Sequence, residues 1–235
     1  MTDLALNKDL YNAVLDYSVT DEGEILSGYK KKYLDDTIRD FRRSGLALSD
    51  EKRNKVKALF NDLSDLGLAF SKNIADYQDT LFLSEDEMKG LPKVYKMERL
   101  QKDGRYAVDM SYPSIGPYFK LAESDRSRKE LRFRYNNRAK ESNLEILDDI
   151  IRKRDQLSTL LGYRSYAEYR TEDRMAKTPE NVWSFEKDLI AKVRKKAEAD
   201  VSGMLKIKSE RNKEVATKIE PVSYTHLTLP TIYSV

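Results

Sequence analysis

Apolar residues recur at spacings of three and four along most of this chain, and the longest such stripe constrains the fold most strongly. It comprises Val56, Leu59, Phe60, Leu63, Leu66, Phe70, Ile74 and Tyr77. This period places the apolar side chains on one face of an α-helix, and Ser49 is suited to cap its first turn. Because such a face must be buried against other elements, the sequence predicts a protein built from packed helices.

The same period predicts further helices on both sides of this one. They lie at about residues 2–17, 27–44, 125–138 and 143–161, and a final helix begins at Thr178. Glycines at positions 45 and 162 follow two of these helices, where glycine commonly ends a helix. Threonine suits the N-cap of the final helix, and the proline that follows it suits the first helical position.

The middle of the chain has a different sequence pattern, with turn residues and short apolar segments. Residues 84–87 form a capping box for a short helical turn. Tyr95–Leu100 and Tyr106–Met110 flank a turn at Lys102–Gly104 and predict a small β-hairpin. The prolines and glycine within residues 113–117 predict an irregular exit from it. We therefore expect a mostly α fold, a multi-helix array with one small β-hairpin.

Charge and composition exclude several classes of function. The 235 residues include 43 Lys and Arg and 40 Asp and Glu, a net charge of +3 with the two signs interleaved. That pattern is typical of helix surfaces rather than of a phosphate-binding stripe, so we expect no nucleic-acid partner. No apolar run is long enough to cross a membrane, and the first residues lack the features of a signal peptide. The chain has no cysteine, which fits a reducing compartment, and we expect a cytoplasmic protein.

The sequence does not encode a recognisable catalytic metal site. Its one histidine is His226, whereas a zinc hydrolase needs two imidazoles one helical turn apart and a neighbouring glutamate as general base. The densest acid pairs, Asp148–Asp149 and Glu172–Asp173, are typical of solvated helix faces or helix ends, and no segment has the spacing of a calcium loop. We predict no catalytic residue and no metal ligand in this chain, and its substrate-binding residues stay unknown at this point.

Two groups of side chains have both a functional and a structural interpretation. Tyr163, Tyr166 and Tyr169 would contact a peptide if they shared an exposed helix face, but such tyrosines more often pack at a helix–helix seam. The arginine-rich stretch Arg126–Arg138, which includes Arg132 and Arg134, would meet an anionic partner. The glutamates around it favour pairing at the protein surface instead.

The order of several short motifs resembles one peptidase family. The motifs are Asp40–Leu46 (DFRRSGL), Leu63–Asn73 (LSDLGLAFSKN), Leu160–Tyr163 (LLGY), Ser165–Tyr169 (SYAEY), Asp173–Ala176 (DRMA) and Thr178–Asn181 (TPEN). In this order they resemble the N-terminal helical half of the thimet oligopeptidase and oligopeptidase A family of zinc peptidases. Each motif alone is weak, and the resemblance covers roughly residues 9–220.

The resemblance implies a function that this chain cannot perform alone. In that family such helices form one wall of a narrow channel, zinc is the cofactor, and the substrates are short unstructured peptides. The family's HExxH motif is missing here and would follow residue 220. The expectation is therefore a fragment of a metalloendopeptidase, inactive and without zinc by itself, whose partner is the missing C-terminal catalytic half. The alternative is a stand-alone helical interaction module without catalysis.

The C-terminal residues have a separate interpretation. Pro221–Thr231 resemble an in-frame translation of a transposon sequencing adapter. One further adapter base and a sample barcode would fill the codons of residues 232–234, and the next adapter codons would supply Val235 and a stop. Such scars are excluded from fold reasoning. We expect residues 1–220 to be the helical portion of the peptidase and residues 221–235 to be adapter-derived.

Overall fold

The structure is a computed structural model that describes residues 7–220, most of which are helical. In this part the α-helices are α1 (Lys8–Ser18), α2 (Asp21–Glu24), α3 (Gly28–Arg43), α4 (Asp50–Ala75), α5 (Lys93–Met97), α6 (Tyr112–Leu121), α7 (Asp125–Asn136), α8 (Lys140–Leu160), α9 (Tyr166–Thr171) and α10 (Pro179–Asn212). The strands are β1 (Thr80–Leu83) and β2 (Tyr106–Asp109), and Asp86–Met88 form a 3-10 turn. The predicted mostly α fold with one small two-stranded β element is confirmed, although one of the two strands is not the one predicted.

The chain divides into two compact units. Within the described residues, unit 1 comprises residues 7–72 and 141–183, and unit 2 comprises residues 73–140 and 184–220. Within residues 7–220, no helix is long and apolar enough to cross a membrane. The predicted helix at residues 2–17 begins outside the described residues, and the suspected adapter segment lies wholly outside them.

Unit 1 has two apolar clusters that follow from the helical stripes. Tyr11 packs edge-on against Phe41, with ring centroids 5.8 Å apart. Val56 on α4 and Leu157 on α8 are almost fully buried in the second cluster. The predicted end of α3 is confirmed: Gly45 has φ +91°, and the Leu46 N–H donates to the Phe41 carbonyl at 3.1 Å.

Unit 2 has one larger core around the two-stranded sheet. Leu83 and Val108 are buried there together with Met88, Tyr118 and Leu131. The strands pair antiparallel, with Leu81 opposite Val108 and Leu83 opposite Tyr106. The capping box is confirmed, since the Ser84 N–H donates to the Glu87 carboxylate at 3.0 Å.

The predicted first arm of the hairpin is wrong. Tyr95–Met97 belong to α5, β2 pairs with β1 instead, and Leu100 forms only an isolated bridge with Tyr106. Helix α5 allows the Tyr95 side chain to enter the core, where its hydroxyl donates to the Ser114 carbonyl at 2.6 Å. A buried tyrosine needs such a partner for its hydroxyl, so the tertiary contact outweighs the local strand pattern.

The predicted irregular exit over residues 113–117 is also wrong, because α6 runs through it. Pro113 lies in the first turn of α6, where a proline is tolerated. Pro117 lies inside the helix and has no N–H to donate to the Pro113 carbonyl. Arg99 replaces the missing donor, with its Nη2 3.2 Å from that carbonyl oxygen. A long-range side-chain contact thus compensates for the proline.

Candidate functional site

Zinc-dependent peptide hydrolysis requires a metal site with converging protein ligands. Among residues 7–220, no group of three or more His, Cys, Asp or Glu side chains is arranged to hold a metal ion. The donor chemistry agrees, because the chain has no cysteine and its single histidine is at position 226. These residues do not fit a zinc site. The Asp148–Asp149 pair lies on α8, where Asp149 accepts a hydrogen bond from Arg152 at 2.6 Å.

The three tyrosines come together in unit 1 as a packed cluster. The Tyr169 ring lies 5.2 Å from the Tyr163 ring and 5.8 Å from the Tyr166 ring, measured between centroids. Tyr169 is buried and the other two are half-buried. Tyr163 precedes α9, so the three do not share one helical face. This is the seam packing given as the structural interpretation, not an exposed peptide-binding face.

Arg43, the last residue of α3, enters this cluster. Its guanidinium carbon lies 4.4 Å from the centre of the Tyr169 ring, a cation–π distance. Its Nη1 is 2.5 Å from the Glu172 carboxylate and its Nη2 is 3.7 Å from Asp173. Only 8% of the Arg43 side chain is exposed. We call Arg43, Tyr163, Tyr169, Glu172 and Asp173 the Arg43 cluster.

A hydrogen bond from Tyr163 links this tyrosine to an acid of the Arg43 cluster. The Tyr163 hydroxyl donates to Glu172 Oε2 at 2.6 Å. Burial, reinforced by this carboxylate, raises the pKa of Tyr163 to about 12, so the phenol is neutral near pH 7. Both acids are engaged by a cation, which makes them an ion-paired structural group rather than a catalytic dyad. Sequence reasoning missed Arg43, although it lies in the DFRRSGL motif.

The arginine-rich stretch lies on α7 and just beyond it in unit 2. Arg134 binds Glu130 at 2.7 Å and Asp79 at 3.1 Å, as the surface-pairing interpretation predicts. Arg138 instead stacks on Tyr135 at 3.7 Å. Arg128 contradicts that interpretation, because its side chain is buried beside Asp125 and burial lowers its pKa. Helical spacing did not reveal which of these arginines faces the core.

A groove of about 630 Å³ lies within unit 2 between β1 and α7. Its β1 side is Leu81–Leu83. Its α7 side includes Arg126, Lys129, Glu130, Phe133 and Arg134. We call it the β1–α7 groove.

Comparison with known proteins agrees with the motif order. Residues 118–222 match the sequence model described as Peptidase family M3. The thimet-like oligopeptidase of Dictyostelium discoideum is 31% identical over 189 residues, which is 77% of this chain and 28% of that protein. Saccharolysin of Saccharomyces cerevisiae is 30% identical over 200 residues, or 82% of this chain and 28% of the relative. Oligopeptidase A of Escherichia coli is 27% identical over 212 residues, or 83% and 31%.

Over most of its length the chain is similar to M3 oligopeptidases. The resemblance predicted from its motifs is therefore confirmed. The chain spans less than a third of the length of these curated relatives. The part that matches the M3 sequence model begins within α6 and includes the tyrosines and acids of the Arg43 cluster, whereas Arg43 and β1 precede it.

Proposed function

We propose that this chain is the N-terminal helical part of a zinc-dependent oligopeptidase that hydrolyses short peptides, and that it lacks the catalytic site by itself. The observation that carries the proposal is the match to M3 oligopeptidases over most of the chain but over less than a third of their length. One relative is named a probable cytosolic oligopeptidase A, in Arabidopsis thaliana, and this supports a cytoplasmic enzyme.

The assignment of zinc to the missing part rests on donor chemistry. Catalytic zinc is held by imidazole, thiolate or carboxylate ligands at about 2.0–2.3 Å, and three protein ligands must converge. The only imidazole of this chain is His226. We therefore expect the zinc ligands of the full-length enzyme to lie outside this chain, and no catalytic step is assigned to the chain itself.

The exposed surface of α10 supports the idea of a missing packing partner. Every residue from 181 to 203 is exposed. Apolar residues recur at helical spacing along this stretch, and they are Phe185, Leu189, Ile190, Val193 and Val201, each 41–64% exposed. Proteins rarely leave an apolar surface of this length uncovered, so we expect the catalytic half of the parent to cover it. The isolated chain should self-associate, and sedimentation analysis over a range of concentrations measures this.

Activity measurement tests the proposal directly. A quenched fluorescent peptide is incubated with the purified chain, with and without added zinc, and no turnover is expected at any zinc concentration. Chelator-sensitive turnover that follows the protein through purification would contradict the absence of a catalytic site. In parallel, the gene is sequenced beyond codon 220 in native DNA. A continuation that encodes HExxH is expected.

The alternative, a stand-alone helical interaction module, is also favoured by the apolar surface of α10, which would then bind another protein. The two proposals differ in the native gene: a stop codon directly after residue 220 supports the module, and a catalytic continuation supports the peptidase.

We also propose that residues 221–235 derive from a sequencing adapter and have no counterpart in the source genome. Support comes from the reading frame, in which the adapter gives both the residues and the stop. Amplification of the locus from native DNA tests this, and finding codons for Val222–His226 there would disprove it.

A further inference from the structure

Within residues 7–220, strand β1 has one hydrogen-bonding edge without a partner. The Ala107 N–H donates to the Arg99 carbonyl at 2.9 Å, so Ala107 faces away from β1. In an antiparallel ladder the N–H and C=O of one residue point to the same side, and the side alternates along the strand. Tyr106 and Val108 therefore bond to Leu83 and Leu81, their partners in the register.

The same alternation fixes the direction of the remaining backbone groups of β1. The N–H and C=O of Thr80 and Phe82 point to the opposite edge. Among the residues that the structure describes, none donates to or accepts from these groups. An edge of this kind is a template for another strand, and an extended peptide can add to it.

The β1–α7 groove lies against this strand and is lined by three basic side chains and two acidic ones. The two acids of the lining accept bonds from within the protein: Glu130 pairs with Arg134 at 2.7 Å, and Glu87 accepts a hydrogen bond from the Ser84 N–H at 3.0 Å. Arg126 is exposed and has no ion-pair partner within residues 7–220. Lys129 is 69% exposed, with its nearest carboxylate, that of Glu220, 3.9 Å away.

We propose that the β1–α7 groove binds an extended acidic peptide as an additional strand on β1. The Phe82 N–H and C=O hydrogen-bond to the peptide backbone, and Arg126 and Lys129 attract its carboxylates. The choice of a peptide as occupant rests on the proposed function. The groove itself belongs to this chain, however, and its binding requires neither zinc nor a catalytic half.

The test is fluorescence anisotropy with the purified 235-residue chain. The probe is a fluorescein-labelled heptapeptide of alternating valine and glutamate, with both ends blocked. Phe82→Pro removes an N–H that points away from β2, so no hydrogen bond to β2 is lost. Prolines are also tolerated at such edge positions. Phe82→Ala is the matched control, since it loses the same ring but keeps the N–H. Phe82→Pro should bind about three- to tenfold more weakly than Phe82→Ala, the effect of one backbone hydrogen bond.

Two peptide variants keep the proposal falsifiable if Phe82→Pro does not fold. N-methylation of alternate peptide amides should weaken binding to the wild-type chain, and alternating valine and lysine should abolish it. Arg126→Glu should reduce the preference for the acidic peptide. Equal affinity for the methylated peptide, an absent charge preference, or no saturable binding at about 1 mM peptide would overturn the proposal. So would a change of oligomeric state in Phe82→Pro with unchanged peptide affinity. Because the assay measures binding without turnover, its failure leaves the oligopeptidase assignment standing.

Discussion

Replacement of Arg43 by alanine should be the most destabilising charge deletion in unit 1. The guanidinium is almost fully buried, contacts Glu172 at 2.5 Å and stacks on Tyr169 at 4.4 Å. A hydrogen bond to a charged group contributes about 1.5–3 kcal/mol and a partly desolvated cation–π contact about 0.5–2 kcal/mol. The Glu172 side chain is 42% exposed, so water can solvate it once Arg43 is gone. These terms give an expected loss of about 3 kcal/mol in the free energy of unfolding.

The measurement is urea unfolding followed by circular dichroism at 222 nm. Arg42→Ala is the matched control, because Arg42 is the neighbouring arginine, is exposed, and lies in the same last turn of α3. Its replacement should cost less than about 1 kcal/mol, the size of a helix-dipole effect. A double-mutant cycle of Arg43→Ala with Glu172→Gln should give a coupling energy of about 1–2 kcal/mol. Equal losses for Arg43→Ala and Arg42→Ala, or a coupling energy near zero, would refute the structural role of the cluster.

Two further predictions concern pH and backbone conformation. Burial raises the pKa of Tyr95, Tyr118 and Tyr163 to about 12, above the ordinary value of 10. The neutral phenols therefore stabilise the fold fully below pH 10, and this contribution is lost between about pH 10 and 12, because only the unfolded chain ionises there. Urea midpoints measured across this range should fall, with a smaller slope in Tyr118→Phe; an equal slope would contradict the assignment. Gly90→Ala should cost more than Gly104→Ala, although both glycines have φ near +85°, because a Cβ at position 90 would lie 2.2 Å from the Leu121 carbonyl oxygen while one at 104 meets nothing. Thermal unfolding of the two variants tests this, and equal losses would rule out the steric contribution.

The M3 relationship was predictable from the sequence because it depends on the order of short motifs, not on their contacts. Most helices were equally predictable. The α4 stripe, the capping box at Ser84 and the glycine that ends α3 each involve residues at most five positions apart. Hydrogen bonds within a helix are local, so periodicity and capping residues place them without knowledge of the rest of the molecule.

The candidate sites were decided by tertiary structure. Arg43 and Glu172 are 129 positions apart in sequence, and the strand β1 that pairs with β2 was not visible as a strand. Spacing on α7 did not distinguish buried Arg128 from exposed Arg126. Helix α6 persists through Pro117 because the distant Arg99 satisfies the carbonyl that the proline leaves without a donor. In each case the outcome depends on which side chains are brought together by tertiary packing. The partner of a charged side chain or of a free strand edge cannot be predicted from a local sequence period.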